Sequence, residues 1–507
     1  MSEAETQSSS ATELSARVVE FKDLIQDALK GAKQLPGEKS EVAEIIAKLV
    51  DNAILQGKKP LKAGLVKLLN EAKVEIEKRI SRQLAHVMHA PELLKLEGSW
   101  RGLHHMVKEA PDDPKIRFDV LNVTRKELSD DLTKAMNFDK SQLWRKVFEA
   151  RIGKYAGTPM AAMVCDFEFS HAPEDVAMLD ALASIGKGAH SPVLTAASAA
   201  MFKMDDFQEL DKADRFTRIF ESNKAEYAAW NTFRESPNSN FVAMTVPRFL
   251  GRHVYGNQGV TKKADGLEGF NEFEYAADGS LEGVDQSQLC WSNAAYLAGA
   301  NLVNAFYNYG IAVAIRGQKN GGLSGSLPNF VYKTKKGTQV MVGPAEVQNG
   351  TRADNELSEL GFWSMAQLDQ QDKCCFYGAQ TVQKPKKFTD PDRSNDANIC
   401  ARLPYVLATG RLIHCLTRHA QTMIGSSKSD RQIQEELVDW AVSQFVSLDA
   451  TTEHEKRMKP FAEIKIEVAS DPEDGGKKLL NFFLKPHLQI EQLHGSVHLV
   501  GKLPKPA

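Results

Sequence analysis

Apolar residues recur at spacings of three and four over the first ninety positions. Leu14, Val18, Phe21, Ile25 and Leu29 predict a short amphipathic helix, with a strand over 18–21 as the alternative. Pro36 and Gly37 interrupt the pattern. Val42, Ile45, Ile46, Leu49 and Leu55 predict a second helix that stops near Gly57 and Pro60. A long periodic run over 65–89 follows, with Leu69, Val74, Ile76, Ile80, Leu84 and Val87 set among charges. This region reads as helical, as an arm or a cap rather than a core of its own.

The pattern changes near residue 116. Strands are predicted over 116–123, 161–169, 191–196 and 241–246, with helices over 125–136, 173–184 and 216–233 between them. Such alternation predicts an α/β layer architecture. Residues 251–285 are Gly-rich and read as loops. Residues 317–350 carry Gly321, Gly322, Gly325, Pro328, Gly337, Gly343 and Pro344, with short strands over 330–333 and 339–342. The stretch 384–396, with Pro385 and Pro391, reads as a surface linker. Helices follow over 400–424 and 430–448. The tail then switches to period two: Ala462, Ile464, Ile466 and Val468 alternate with Phe461, Glu463, Lys465, Glu467 and Ala469. Gly475 and Gly476 mark a turn before a strand over 479–484, and 488–493 and 497–499 are further strand candidates.

The chain has 507 residues, 42% of them hydrophobic and 25% charged, with 63 Lys and Arg against 66 Asp and Glu. That composition is globular, and the length predicts two to four domains. A net charge of -3 gives no bulk attraction to nucleic acid or to an anionic membrane. Six cysteines without a CxxC pair read as reduced thiols, and no Sec-type leader pattern opens the sequence. Residues 286–315 lack any charge, long enough to span a bilayer. Asn293, Asn301, Asn304 and Asn308 line one side of that stretch. Unpaired amides are costly in hydrocarbon, so a buried helix with bonded amides is expected, and no membrane span.

Chemical motifs are sparse. No GxxxxGK, GxGxxG or GxSxG occurs. Gly186-Lys187-Gly188 follows a helix rather than a strand and reads as a turn. His454 and Glu455 begin like a zinc-protease motif, but Met458 takes the place of the second His. Asp390, Asp392 and Ser394 begin like a calcium loop, but Asn395 and Ala401 replace the turn Gly and the bidentate Glu; from Asp471, Phe482 takes the last place. Cys415 and His419 share a helix face without a partner loop. Asp166 and Glu168 share one side of a strand and are the residues a cytosolic α/β hydrolase would use for acid/base work.

The run 91–103, PELLKLEGSWRGL, is distinctive. It closely resembles the large subunit of the type VI secretion contractile sheath, the TssC or VipB family. So do FEARIGKY at 148–155, GTPM at 157–160, VCDFEF at 164–169, FTRIF at 216–220, WNTFR at 230–234, VPRFLGR at 246–252, WSNAAY at 291–296 and LPY at 403–405. The resemblance spans about residues 60 to 500 in consistent order.

It implies a structural protein without active site or cofactor. The fold class expected is α/β, with a contractile-sheath-like core, a helical N-terminal region, a small inserted subdomain and a C-terminal β module for intersubunit strand exchange. The domains expected are an assembly arm over 1–60, a helical region over 61–115, an α/β sheath region over 116–396 with an insertion at 251–350, and a C-terminal region over 397–507 with its β linkage module at 461–500. The resemblance also implies partners: a small sheath subunit (TssB- or VipA-like), further copies in a helical polymer, an inner tube protein (Hcp-like), a baseplate, and an AAA+ ATPase acting mainly through the small subunit. The setting implied is cytoplasmic, within a membrane-anchored secretion apparatus. Ile464, Ile466, Val468, Leu480 and Phe482 are then candidates for an intersubunit sheet, Val18, Phe21 and Ile25 for the arm, and Lys428 and Arg431 for contact with the tube.

Overall fold

The computed structural model describes residues 62–154, 157–212, 216–256, 270–276, 278–423, 427–447, 452–470, 478–487 and 497–502. The segment of Val18, Phe21 and Ile25, the helix expected over 42–55 and the strand expected over 488–493 lie outside the described residues. The chain divides into two compact units, Met1–Gln83 and Leu84–Ala507. In the first, the described residues belong to helix α1 (Lys62–Met88), which the period over 65–89 predicts. Pairs four apart, Lys73 with Glu77 and Arg79 with Glu75, support its exposed surface.

In the second unit, α2 (Pro91–Glu109) starts with Pro91 in its first turn. Its buried stripe is Leu94, Gly98, Gly102 and Met106, one residue every four. Helix α3 (Arg125–Lys134) opens with a capping box between Thr124 and Glu127. Strand β1 (Met163–Phe169), helix α4 (Pro173–Ala189), strand β2 (Val193–Ala197) and strand β3 (Val242–Val246) follow. Next come the uncharged helix α5 (Ala295–Tyr309), the hairpin strands β4 (Phe330–Lys333) and β5 (Gln339–Val342), and strand β6 (Phe362–Ser364).

Strands β1, β2, β3 and β6 form a parallel sheet in that order. Parallel sheets are covered on both faces. On one face Val193, Val242, Met244 and Phe362 pack with Leu179 and Leu182 of α4. On the other, Leu194, Ala243 and Trp363 pack with Leu297 and Ala298 of α5. A third cluster gathers hairpin residues Phe330, Tyr332 and Val342 with Leu250, Val254, Phe273, Leu281, Leu289 and Trp291. The C-terminal part has helices α6 (Leu403–Met423) and α7 (Asp430–Phe445) and strands β7 (Phe461–Ser470), β8 (Lys478–Pro486) and β9 (Val497–Lys502).

Four expectations need correction. Residues 116–123 form no strand: the segment joins no ladder, and Val120 and Leu121 are exposed. The helix expected over 216–233 is two, Phe216–Ser222 and Ala228–Glu235. Asn223 ends the first by donating its side-chain amide to the Ile219 carbonyl at 2.9 Å. The linker over 384–396 contains the start of a helix, Pro391–Cys400, because Asp390 accepts from the Asp392 N–H and Pro391 suits the first turn. Of the four asparagines, Asn293 and Asn301 are buried, but Asn308 is exposed. Asn301 accepts from Ser324 Oγ at 3.3 Å, whereas its own NH₂ donates to nothing. Among the described residues no helix is long and apolar enough to cross a membrane.

Candidate assembly surfaces

The C-terminal sheet runs β7-β8-β9, antiparallel throughout, with β8 central. The period-two tail sets its faces. Ile464 and Ile466 are buried, while Glu463, Lys465 and Glu467 are exposed. A register shift between Phe461 and Glu463 adds one residue, so Phe461 is buried too. Ile464 pairs with Leu484, Ile466 with Phe482 and Val468 with Leu480.

Ile464, Ile466, Phe482 and Leu484 join Leu412 and Leu416 of α6 and Leu437 and Ala441 of α7 in one core, and half-buried Val468 packs against it. The apolar face is therefore occupied within the chain, and the sheet offers neighbours its polar face and its edges. Two contacts touch the outer edge of β7. Phe461 bridges Val446, and the Val468 N–H donates to Gln434 at 3.4 Å. No ladder partner lies along the outer edge of β9 among the described residues.

Among the described residues β1 pairs with β2 alone, which leaves its other edge without a ladder partner. The unpaired segment 116–123 runs near it. Phe118 and Val164 both pack against the core on the α5 side, and Val123, Met163, Cys165 and Phe167 against the core on the α4 side. Arg125 then donates to the Glu168 carbonyl at 2.7 Å. Helix α2 adds an exposed apolar stripe of Leu93, Leu96, Trp100 and Val107, opposite its buried one. Sequence periodicity shows both stripes, but only the packing says which is covered.

Lys428 and Arg431 stand at the start of α7, where Ser429 and Gln432 form a capping box. Lys428 pairs with Glu436, and Arg431 Nε donates to Glu435 at 2.9 Å. Both cations are surface groups held by their own helix. Gly425 and Ser426 lie outside the described residues.

The residues considered for chemistry have other partners. Burial raises the Asp166 carboxyl above its usual range, against the lowering effect of Ser99, Tyr296 and Asn293 beside it. Glu168 faces Arg248 at 4.0 Å. His414 is buried with Nε2 2.8 Å from the Ala189 carbonyl, and His419 stacks on Trp440. Cys415 is a free thiol, raised by burial. Gly186 and Gly188 lie in the last turn of α4, where a Cβ at Gly188 would fall 2.7 Å from the Trp144 ring. Among the described residues no group of three or more His, Cys, Asp or Glu is placed to hold a metal ion.

Two family models match the chain. Residues 70–383 match the EvpB/VC_A0108 tail sheath N-terminal domain, and residues 392–503 match the EvpB/VC_A0108 tail sheath gpW/gp25-like domain. The chain is 33% identical over 489 residues to the type VI secretion system sheath protein TssC1 of Pseudomonas aeruginosa, covering 96% of this chain and 95% of that one. A chain in a cryo-EM structure of the anti-feeding prophage baseplate aligns over 78% of this chain and 81% of its own, at 10% identity and a TM-score of 0.33, too low to assign a shared fold. With both sheath domains in order and the near full-length relative, the chain belongs to the EvpB/VC_A0108 (VipB/TssC) family of tail sheath proteins and is a structural sheath subunit of a type VI secretion system.

Proposed function

We propose that this subunit pairs with a small sheath subunit of the TssB or VipA kind and polymerises with it as helical strands around an Hcp-like inner tube. Contraction of the polymer then drives the tube outward from a baseplate, and an AAA+ ATPase recycles the contracted form through the small subunit. The assembly works in the cytoplasm against a membrane-anchored apparatus. Residues 1–60 act as an assembly arm carrying Val18, Phe21 and Ile25, and 61–115 as the helical region. Residues 116–396 form the α/β sheath region with its insertion at 251–350, and 397–507 the region that carries the linkage module at 461–500.

The observation that carries this reading is the C-terminal sheet, whose apolar face is filled while, among the described residues, no strand pairs with the outer edge of β9. An added strand pairs backbone groups otherwise left to water. It can also hold chains together while rigid bodies rotate. In this arrangement Ile464, Ile466, Val468, Leu480 and Phe482 act indirectly, by fixing the strands whose edges are offered. The open edge of β1 and the neighbouring segment 116–123 give a second place for a partner strand.

Co-expression with a small sheath subunit of the TssB or VipA kind, followed by electron microscopy, tests the reading. Tubules are expected, and neither co-purification nor tubules would end it. For the tube, reversing Lys428 and Arg431 to Glu should slow tube-templated nucleation while sparing the heterodimer. Unchanged nucleation would remove that helix start from the tube contact.

A further inference from the structure

Among the described residues, the two ends of helix α4 carry exposed charge of opposite predominant sign. At its C-terminal end, residues 134–154 fold as a knob of short turns. Phe138, Trp144 and Phe148 form an aromatic ladder there, Trp144 lying 5.4 Å from Phe138 and 4.3 Å from Phe148. Val147 anchors the knob on Ile185 and Ala189 of α4. Its outer surface is apolar and mainly basic, with one exposed acid, Glu149, among the cations. Met136 is 95% exposed and Phe138 40% exposed. Lys134 and Lys140 pair with Asp130 and Asp139, and Arg151 pairs with Asp119. Arg145, Lys146 and Lys154 are exposed and have no ion-pair partner among the described residues. Residues 148–154 of the FEARIGKY run belong to this knob, and no catalytic or core role accounts for Lys154.

The other end of α4 lies roughly 25 Å away, at 1.5 Å per residue over its 17 residues. Near it, at the C-terminal ends of β1, β2 and β3, three cations are spent internally. Arg125 pairs with Asp175, Lys203 with Glu226, and Arg248 makes two bonds to Glu346 at 2.8 and 2.6 Å. Glu174, Asp205 and Glu209 are left exposed without an ion-pair partner among the described residues. Further along the chain, Arg218 and Lys224 have Glu221 between them.

We infer that the basic knob of one copy, with Arg145, Lys146 and Lys154 around Met136 and Phe138, docks on the acidic rim of a second copy, formed by Glu174, Asp205 and Glu209. The two patches differ and stand at opposite ends of one helix, so the contact is heterologous. Repetition of such a contact generates an open helical polymer rather than a closed dimer. Charge complementarity gives the register and the on-rate, and the exposed Met136 and Phe138 supply the apolar anchor. This inference rests on the polymer reading above and adds to it a contact between copies of this chain.

A charge swap tests it in the chain co-expressed with the small subunit. Arg145→Glu with Lys146→Glu should leave the heterodimer and its melting temperature intact and cut tubule yield at least tenfold. Glu174→Lys with Glu209→Lys should do the same. The four substitutions together should restore tubules to within about threefold of wild type, and raised salt should slow wild-type assembly. Normal tubules from either double variant would overturn the contact. So would a quadruple variant that assembles no better than the doubles. If the wild-type pair itself makes no tubules, the polymer reading fails instead, and the readout separates the two.

Discussion

The backbone at Gly98 lies so close to Trp291 that a Cβ there would fall 2.3 Å from the Trp291 carbonyl oxygen. Four residues on, a Cβ at Gly102 would fall 2.3 Å from the Tyr296 ring. Helix α2 thus lies flush on the strand Trp291–Ser292 and on α5, and Ser292 Oγ donates to the Gly98 carbonyl at 2.7 Å. In an exposed helix, Ala would be favoured over Gly by about 1 kcal/mol. Here the obstacle is backbone, which cannot swing away. Gly98→Ala should therefore destabilise by about 1–3 kcal/mol, read as a lower denaturation midpoint. An unchanged or raised midpoint would show that α2 lifts freely from Trp291.

The same junction holds a buried ion cluster. Glu272 has no exposed side-chain surface and takes two bonds from Arg252, at 2.8 and 3.0 Å. Arg252 also donates to Glu97 of α2 at 2.8 Å, and His89 Nε2 lies 3.4 Å from Glu272. Burial would raise the Glu272 carboxyl, but His89 and Arg252 outweigh it and hold it below its usual range. Removing one partner leaves the other charge stranded, at about 3–5 kcal/mol. Glu272→Ala should cost that much and free α2 to exchange amides faster, while a double change of Arg252 and Glu272 to Met and Leu should recover most of the loss. A single variant that melts like wild type would mean the cluster opens to water.

Much of this was legible in the sequence, for identifiable reasons. The β4–β5 hairpin came out at its bounds because alternation and Gly337, at φ 82°, act locally. Helix α1 came out because its period is long. The two glycines of LEGSWRG were visible, but the surface they touch lies nearly two hundred residues away. The same holds for Arg252 and Glu272, since no local pattern pairs them. Residues 116–123 alternate like a strand, yet a strand needs a ladder, and pairing is not a local property. At the candidate assembly sheet, the two faces were legible and their occupants were not: Ile464 and Ile466 read as part of an intersubunit sheet, and α6 and α7 of the same chain cover them.

Two histidines make the contact between α4 and α6 sensitive to acid. His190 caps α4 at φ 52°, and its ring lies 6.2 Å from that of His414 on α6. Burial, then the neighbouring His414 and Lys187, push His190 down to about 4, and burial lowers His414 as well. In the unfolded chain each titrates near 6.5. The stability this contributes is full above pH 6.5 and is lost as pH falls toward 4, at up to about 1.4 kcal/mol per pH unit per histidine. Asn tolerates the left-handed conformation and carries no charge. His190→Asn should therefore flatten the fall in melting temperature between pH 6.5 and 4.5. A variant with the same slope as wild type would place the acid sensitivity elsewhere.

Folding and assembly make separable demands on the C-terminal sheet. Ile464 is 5% exposed and Ile466 1% exposed, both against Leu412, Leu416 and Leu437. A carboxylate in either place has no partner there and must be hydrated or protonated at a cost of several kcal/mol. Ile464→Asp with Ile466→Asp should therefore unfold the C-terminal region itself. Limited proteolysis should cut within 397–507, and tubules and soluble heterodimer should be lost together. Glu463→Lys with Glu467→Lys, on the exposed face of the same strand, should change stability by about 0.5 kcal/mol or less. If the aspartate pair instead left a protease-resistant heterodimer and abolished only tubules, Ile464 and Ile466 would face a neighbour in the polymer and not the helices of their own chain.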